Sequence, residues 1–211
     1  MTLPCLIFDM DGTLVDSEML GNRALLELLP DWDEDLIAMT ERYRGEKLAR
    51  ILADIALRIG SALPADFESR YRAHAAVLMA RDLQTMPGVP AMLDSLAHSR
   101  CIASSGPPAK IRDGLAITGI AHHFGERIYS AYDIGSWKPD PGVFLHAAAQ
   151  MGIAPADCIV IEDSEVGVAA AQAAGMRCCQ YLPAGGTPHP HARVFDDMAR
   201  LPALLEEMAR H

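Results

Sequence analysis

The residues with the plainest chemical potential lie together at Asp9-Met10-Asp11-Gly12-Thr13. Carboxylates at i and i+2 share one side of an extended chain, and Asp-Gly is turn chemistry. A second acidic pair, Glu162-Asp163, is followed by Ser164. Four carboxylates brought to one sheet edge repel one another unless a cation sits among them, and an all-oxygen set suits Mg2+. Asp9, Asp11, Glu162 and Asp163 are therefore the candidate metal set. Ser104, with Ser105 and Gly106, offers a hydroxyl and backbone N–H groups suited to phosphate oxygens. Lys138, in Trp137-Lys138-Pro139-Asp140-Pro141, is a point charge on a stiff loop. It can neutralise both an anionic ligand and the carboxylates. Plainer readings compete: Asp11-Gly12 as a simple turn, and Glu162-Asp163-Ser164 as a helix cap, a role compatible with metal binding.

These residues need a scaffold that brings them to one place. Leu3 to Phe8 is a short apolar run, as are Arg100 to Ser104, Cys158 to Ile161 and Arg177 to Tyr181, with Ile128 to Ser130 a weaker one. Each reads as a buried strand. Helical patterns lie between them: Val89 to His98, Pro141 to Met151 and Ser164 to Ala174, with Pro near the start or Gly just past the end. Strands alternating with helices imply an α/β fold built on a parallel sheet. Continuous rather than alternating apolar strands fit a sheet covered on both faces. In such sheets ligands bind beyond the carboxyl ends of the strands, where both acidic pairs fall.

Residues 17–84 differ. Their apolar positions recur at helical spacing (Leu25, Leu28, Leu29; Leu48, Ile51, Leu52, Ile55; Val77, Leu78), and charge is concentrated there. They predict an all-helical insert after the first strand, returning at Met86-Pro87-Gly88. Within it, Arg44 and Lys47 are candidate substrate contacts, against the alternative of a merely solvated charged face. Met19 and Met39 are candidates for lining a cavity.

The chain has 211 residues and 50% hydrophobic content, with Lys+Arg 18 against Asp+Glu 28 for a net charge of −10. That balance excludes nucleic acid and an anionic membrane surface as partners. A small phosphorylated metabolite stays admissible, because a bound cation inverts the local field of an acidic cleft. Five cysteines without a C-x-x-C pair read as reduced, buried thiols of a cytoplasmic protein. The first residues lack a basic leader, and no apolar run is long enough to span a bilayer. His122-His123 and His189-Pro190-His191 lack the companions of a zinc site and read as surface loops.

In order along the chain, D-x-D-G-T at 9–13, S-S-G at 104–106, K-P-D-P at 138–141 and I-E-D-S at 161–164 resemble the haloacid dehalogenase-like hydrolase superfamily. The helical insert resembles the cap of its β-phosphoglucomutase-like branch, and Arg42-Tyr43-Arg44-Gly45 is similar to bacterial sugar-phosphate phosphatases of 6-phosphogluconate type. The resemblance implies a Rossmann-like, doubly wound core of residues 1–16 and 85–211 with a small helical cap of residues 17–84. It implies Asp9 as a nucleophile forming an aspartyl-phosphate and Asp11 as general acid and base. Mg2+ would be held by Asp9, the Asp11 carbonyl and Asp163, with Glu162 a further or more distant ligand. Thr13 and Ser104 would bond phosphate oxygens, and Lys138 would offset the charge on the transferring group.

The expected enzyme is thus a Mg2+-dependent phosphatase of a small phosphorylated sugar or sugar acid. A sugar-phosphate mutase and a catalytically silent metabolite-binding module are the alternatives. Mutases of this branch carry a histidine where Gly21 stands, which favours net hydrolysis. The fold would be complete as a monomer; a dimer stays open.

Overall fold

The structure is a computed structural model in which residues 3–183 and 185–210 are described. Met1, Thr2, Ala184 and His211, which the expected core segments include, lie outside the described residues. In chain order the main elements are β1 (Cys5–Phe8), α1 (Ser17–Leu28), α2 (Leu36–Tyr43), α3 (Leu48–Ile59), α4 (Phe67–Asp82), α5 (Val89–Ser95), β2 (Arg100–Ser104) and α6 (Pro108–Ile117). There follow β3 (Ile128–Ser130), α7 (Ala131–Ile134), α8 (Gly142–Met151), β4 (Cys158–Glu162), α9 (Glu165–Ala173), β5 (Arg177–Tyr181), β6 (Arg193–Phe195) and α10 (Leu201–Ala209). The chain divides into two compact units, one running to Val15 and resuming at Thr85, the other spanning Asp16–Gln84.

The first unit is built on a six-stranded sheet of order β3-β2-β1-β4-β5-β6, parallel at every pairing. β1 is flanked by β2 on one side and β4 on the other, so the strand order reverses there and opens a crevice at its carboxyl end. The register sets Phe8 beside both Ile102 and Ile161, which brings the residues after each strand to one edge.

Burial on both faces explains the unbroken apolar runs. Cys5 and Ile7 of β1 pack with Cys101, Val160 and the Val143, Phe144 and Ala147 face of α8. Leu6 and Phe8 point the other way and are equally buried, with Phe8 edge-to-face on Phe124 at 6.0 Å. Each such Leu, Ile or Phe contributes about 1.5–3 kcal/mol by leaving water. All five cysteines are buried with free thiols.

The expected strands are present, with the first beginning at Cys5 rather than Leu3 and the fourth extending through Glu162. The helix after Gly88 stops at Ser95, short of His98. There the Arg100 guanidinium donates to the carbonyls of Leu93, Leu96 and His98.

The second unit is wholly helical in its regular elements, α1 to α4, around Leu25, Met39, Tyr43, Ile55 and Phe67. In α4, Leu78 and Ala75 turn inward while Val77 is 60% exposed. One expectation for this unit is corrected. Met39 lines no cavity: it is fully buried in the helical core, while Met19 is 38% exposed.

Candidate active site

Asp9 follows β1 directly, and its amide donates to the Ile161 carbonyl of β4 at 2.9 Å, locking the turn to the neighbouring strand. The chain then reverses. Gly12 takes φ +82° and donates to Val15 O, and Leu14 donates back to Met10 O. A side chain at Gly12 would be strained by that φ and would place its Cβ 2.5 Å from Asp163 Oδ2. Glycine therefore lets the turn approach the second acidic pair. Thr13, fully buried, donates from Oγ1 to Asp163 Oδ1 at 3.0 Å.

Glu162 and Asp163 close β4. Glu162 accepts from both the Ser164 amide (2.5 Å) and hydroxyl (2.8 Å), while Ser164 Oγ accepts from Gly167 N at the start of α9. The cap and the acidic site thus coexist. Gly167 leaves room for this, since a Cβ there would lie 2.0 Å from Glu162 Cδ.

Lys138 joins the two acidic pairs. It donates to Asp9 Oδ1 and, at 2.8 Å, to Glu162 Oε1, with its Nζ 4.8 Å from the Phe144 ring centroid. Its side chain is only 4% exposed. The loop carrying it is tied by Trp137 edge-to-face on Tyr132 and by Asp140 accepting from Ser136 and Gly142. Asp9, Glu162 and Asp163 present three buried carboxylate oxygens within 4.8 Å of one another. An all-oxygen, dianion-excess set of this kind fits a hard divalent cation.

The electrostatics follow from that crowding. Burial pushes the Asp9 carboxyl up to about 7, with Lys138 opposing the rise and Glu162 and Asp11 adding to it. Burial alone would push the Lys138 ammonium down, but Asp9 and Glu162 more than reverse this and hold it above its ordinary value. The metal-free pocket therefore resists full ionisation, and a cation would relieve it.

Ser104 closes β2, nearly fully buried, its Oγ accepting from Gly106 N at 3.0 Å. Ser105 is half-buried in the same turn. Ser130 of β3 braces that turn by donating to Gly106 O at 2.6 Å. The Asp11 side chain stands apart from the three clustered carboxylates, 2.7 Å from Lys110 Nζ of α6.

Arg44 of the helical unit pairs with Glu41 at 2.6 Å, and Lys47 is exposed where α3 begins. Sequence reasoning passed over Lys110 and Gln180. The first had a signal, since Pro107-Pro108 starts a helix whose first turn faces the strand ends. Gln180, which donates to Asp163 O and accepts from His189 N, gave none, because one glutamine in an apolar strand carries no motif.

Comparisons with known proteins agree with this geometry. Residues 3–175 match the family model described as haloacid dehalogenase-like hydrolase. The chain is 31% identical over 208 residues to the 6-phosphogluconate phosphatase of Escherichia coli K12, covering 96% of this chain and 94% of that one. It is 31% identical to the same organism's fructose-1-phosphate phosphatase YqaB over 175 residues, 81% of this chain and 92% of that one. A solved hydrolase of the family from Deinococcus radiodurans R1, with bound phosphate and sodium, superposes with a TM-score of 0.83 at 29% identity, covering 98% and 96% of the two chains. With the motifs at the strand ends and the fold that gathers them, the chain belongs to the haloacid dehalogenase-like hydrolases.

Proposed function

We propose that the protein is a Mg2+-dependent phosphomonoesterase that hydrolyses a small phosphorylated sugar or sugar acid through an aspartyl-phosphate on Asp9. The observation that carries this is the burial of Asp9 between Lys138 and the Glu162-Asp163 pair at the reversal point of the sheet. The oxygen donors fit Mg2+, which Asp9, Asp163 and the Asp11 carbonyl would hold. Glu162 stands a step behind them, its oxygens engaged by Lys138 and Ser164. Bound there, the ion supplies charge neutralisation for the transferring phosphoryl group.

The chain's own residues do the rest. An Asp9 carboxylate oxygen attacks phosphorus while the ester P–O bond breaks, and Asp11 gives its proton to the departing oxygen. Asp11 then takes a proton from water as that water attacks phosphorus. The bond to Asp9 breaks, releasing inorganic phosphate and regenerating the carboxylate. Lys138 and the Ser104-Ser105-Gly106 turn hold the phosphoryl oxygens, and Thr13 steadies Asp163. Arg44 and Lys47 are the proposed substrate contacts of the helical unit, which acts as a cap.

Hydrolysis is favoured over mutase chemistry by Gly21, which stands where those mutases carry a histidine; a Cβ there would lie 3.1 Å from the Tyr71 hydroxyl, so a side chain would have to displace that ring. The relatives' names support the substrate class. Asp9→Asn should abolish phosphate release from sugar phosphates and from p-nitrophenyl phosphate in Mg2+. Retention of more than a trace of activity would remove Asp9 as nucleophile.

A further inference from the structure

We propose a second metal site, for a borderline transition-metal ion such as Zn2+, formed by Asp94, His122 and His123. None of these residues belongs to the phosphatase site. His122 and His123 occupy a short 3-10 turn, Ala121–His123, ahead of β3, and Asp94 comes from α5. The fold supplies the companion that the histidine pair lacks in sequence. One ligand atom from each of the three residues lies within 4.8 Å of the others.

His123 Nε2 is 3.5 Å from Asp94 Oδ1, and the two imidazole centroids are 4.0 Å apart with planes tilted by 38°. The rings are therefore already gathered on one side of the turn. A second, independent observation concerns tautomers. His122 Nδ1 is 3.0 Å from the Gly119 carbonyl, so the proton sits on Nδ1 and the lone pair on Nε2. Metal-bound histidines are oriented in this way, by donating the other ring N–H to a carbonyl. The turn is held by Arg127, which donates to the carbonyls of Phe124 and His123.

The donor set separates this site from the first. Two imidazoles and one carboxylate prefer Zn2+, Ni2+ or Cu2+ to Mg2+, whereas the all-carboxylate pocket prefers Mg2+. Three protein ligands leave the remaining positions to water. A bound ion would tie α5 to the turn that leads into β3.

The test is calorimetric titration of the full chain with ZnCl2 in saturating MgCl2, repeated on His122→Ala, His123→Ala, Asp94→Asn and a His189→Ala/His191→Ala double variant. The expected result is one saturable site, weakened at least tenfold by either single histidine change and also weakened by Asp94→Asn. The double variant should match the parent. Histidine ring NMR should show Zn2+ shifting the His122 and His123 signals first. His122 is exposed, so its variant keeps the test valid if His123→Ala fails to fold. No saturable zinc binding, binding unchanged in His122→Ala, or loss confined to the double variant would each overturn the proposal.

Discussion

Lys138→Met isolates the charge balance of the pocket. The ammonium contacts Asp9 and Glu162, whose side chains are 8% and 2% exposed, and methionine would keep the packing on Phe144 without the charge. Removing one partner of a buried ion pair costs about 3–5 kcal/mol, because the remaining charge is left unpaired. The protein can escape part of that cost by protonating a carboxyl. Against an unfolded value near 3.9, protonation costs about 1.4 kcal/mol for each pH unit above it. At about pH 8 this is roughly 5.6 kcal/mol, so there is no relief and the full penalty stands. At about pH 5 it is roughly 1.5 kcal/mol, and the parent's Asp9 is itself protonated there, so the variant's deficit should fall below that figure. Urea unfolding of the metal-free protein at both pH values measures this. Trp137 neighbours Lys138, and Trp32→Phe in both proteins leaves it as the sole tryptophan reporter. Equal destabilisation at the two pH values, or a loss under about 1 kcal/mol at the higher one, would refute the reasoning.

Three other outcomes follow from the same geometry. Gly167→Ala drives a Cβ into the Glu162 carboxylate, which Ser164 and Lys138 hold in place, so activity should fall more than tenfold and stability by about 1–3 kcal/mol by chemical denaturation. Asp9, raised to about 7, binds its proton more tightly folded than unfolded, so the metal-free core should gain stability as pH falls from 7 toward 4. Mg2+ should accordingly raise the melting temperature more at about pH 8 than at about pH 6, and EDTA should erase the difference; indifference to Mg2+ at the higher pH would count against the carboxylates as ligands. Thr13→Val removes the hydroxyl that donates to Asp163 Oδ1, at a cost of about 1–3 kcal/mol, and should weaken Mg2+ binding in a titration, with Thr13→Ser restoring both.

What could be read from sequence was whatever local chemistry encodes. β1, β2, β4 and β5 are apolar without alternation because both sheet faces are covered, and that pattern needs no tertiary information. Asp9, Ser104, Lys138 and Asp163 stood out because each sits at a turn whose residue types are unusual. β6, only three residues long with two exposed, left no pattern to find. Lys110 and Asp94 escaped for another reason: a charge on a helix is ordinary until the fold shows what it faces. Met39 was misread because an adaptable methionine suits a packed core as well as a cleft, and only the fold shows that it is fully buried.

The way the chain leaves and rejoins the sheet unit has its own consequence. Val15 and Thr85 are bridged, Met86 donates to Leu14 O at 2.9 Å, and Asp16 donates to Gln84 O at 3.0 Å. The departing and returning strands are thus clasped at their base, so the sheet unit meets the whole intervening stretch as a loop of almost no span. Loop-closure entropy grows only with the logarithm of length, so lengthening or exchanging that stretch perturbs the carboxylates little. On the proposed function, selectivity and chemistry are in this sense separately heritable: substrate preference changes with the stretch between Asp16 and Gln84 while the reaction proposed at Asp9 is passed on unaltered.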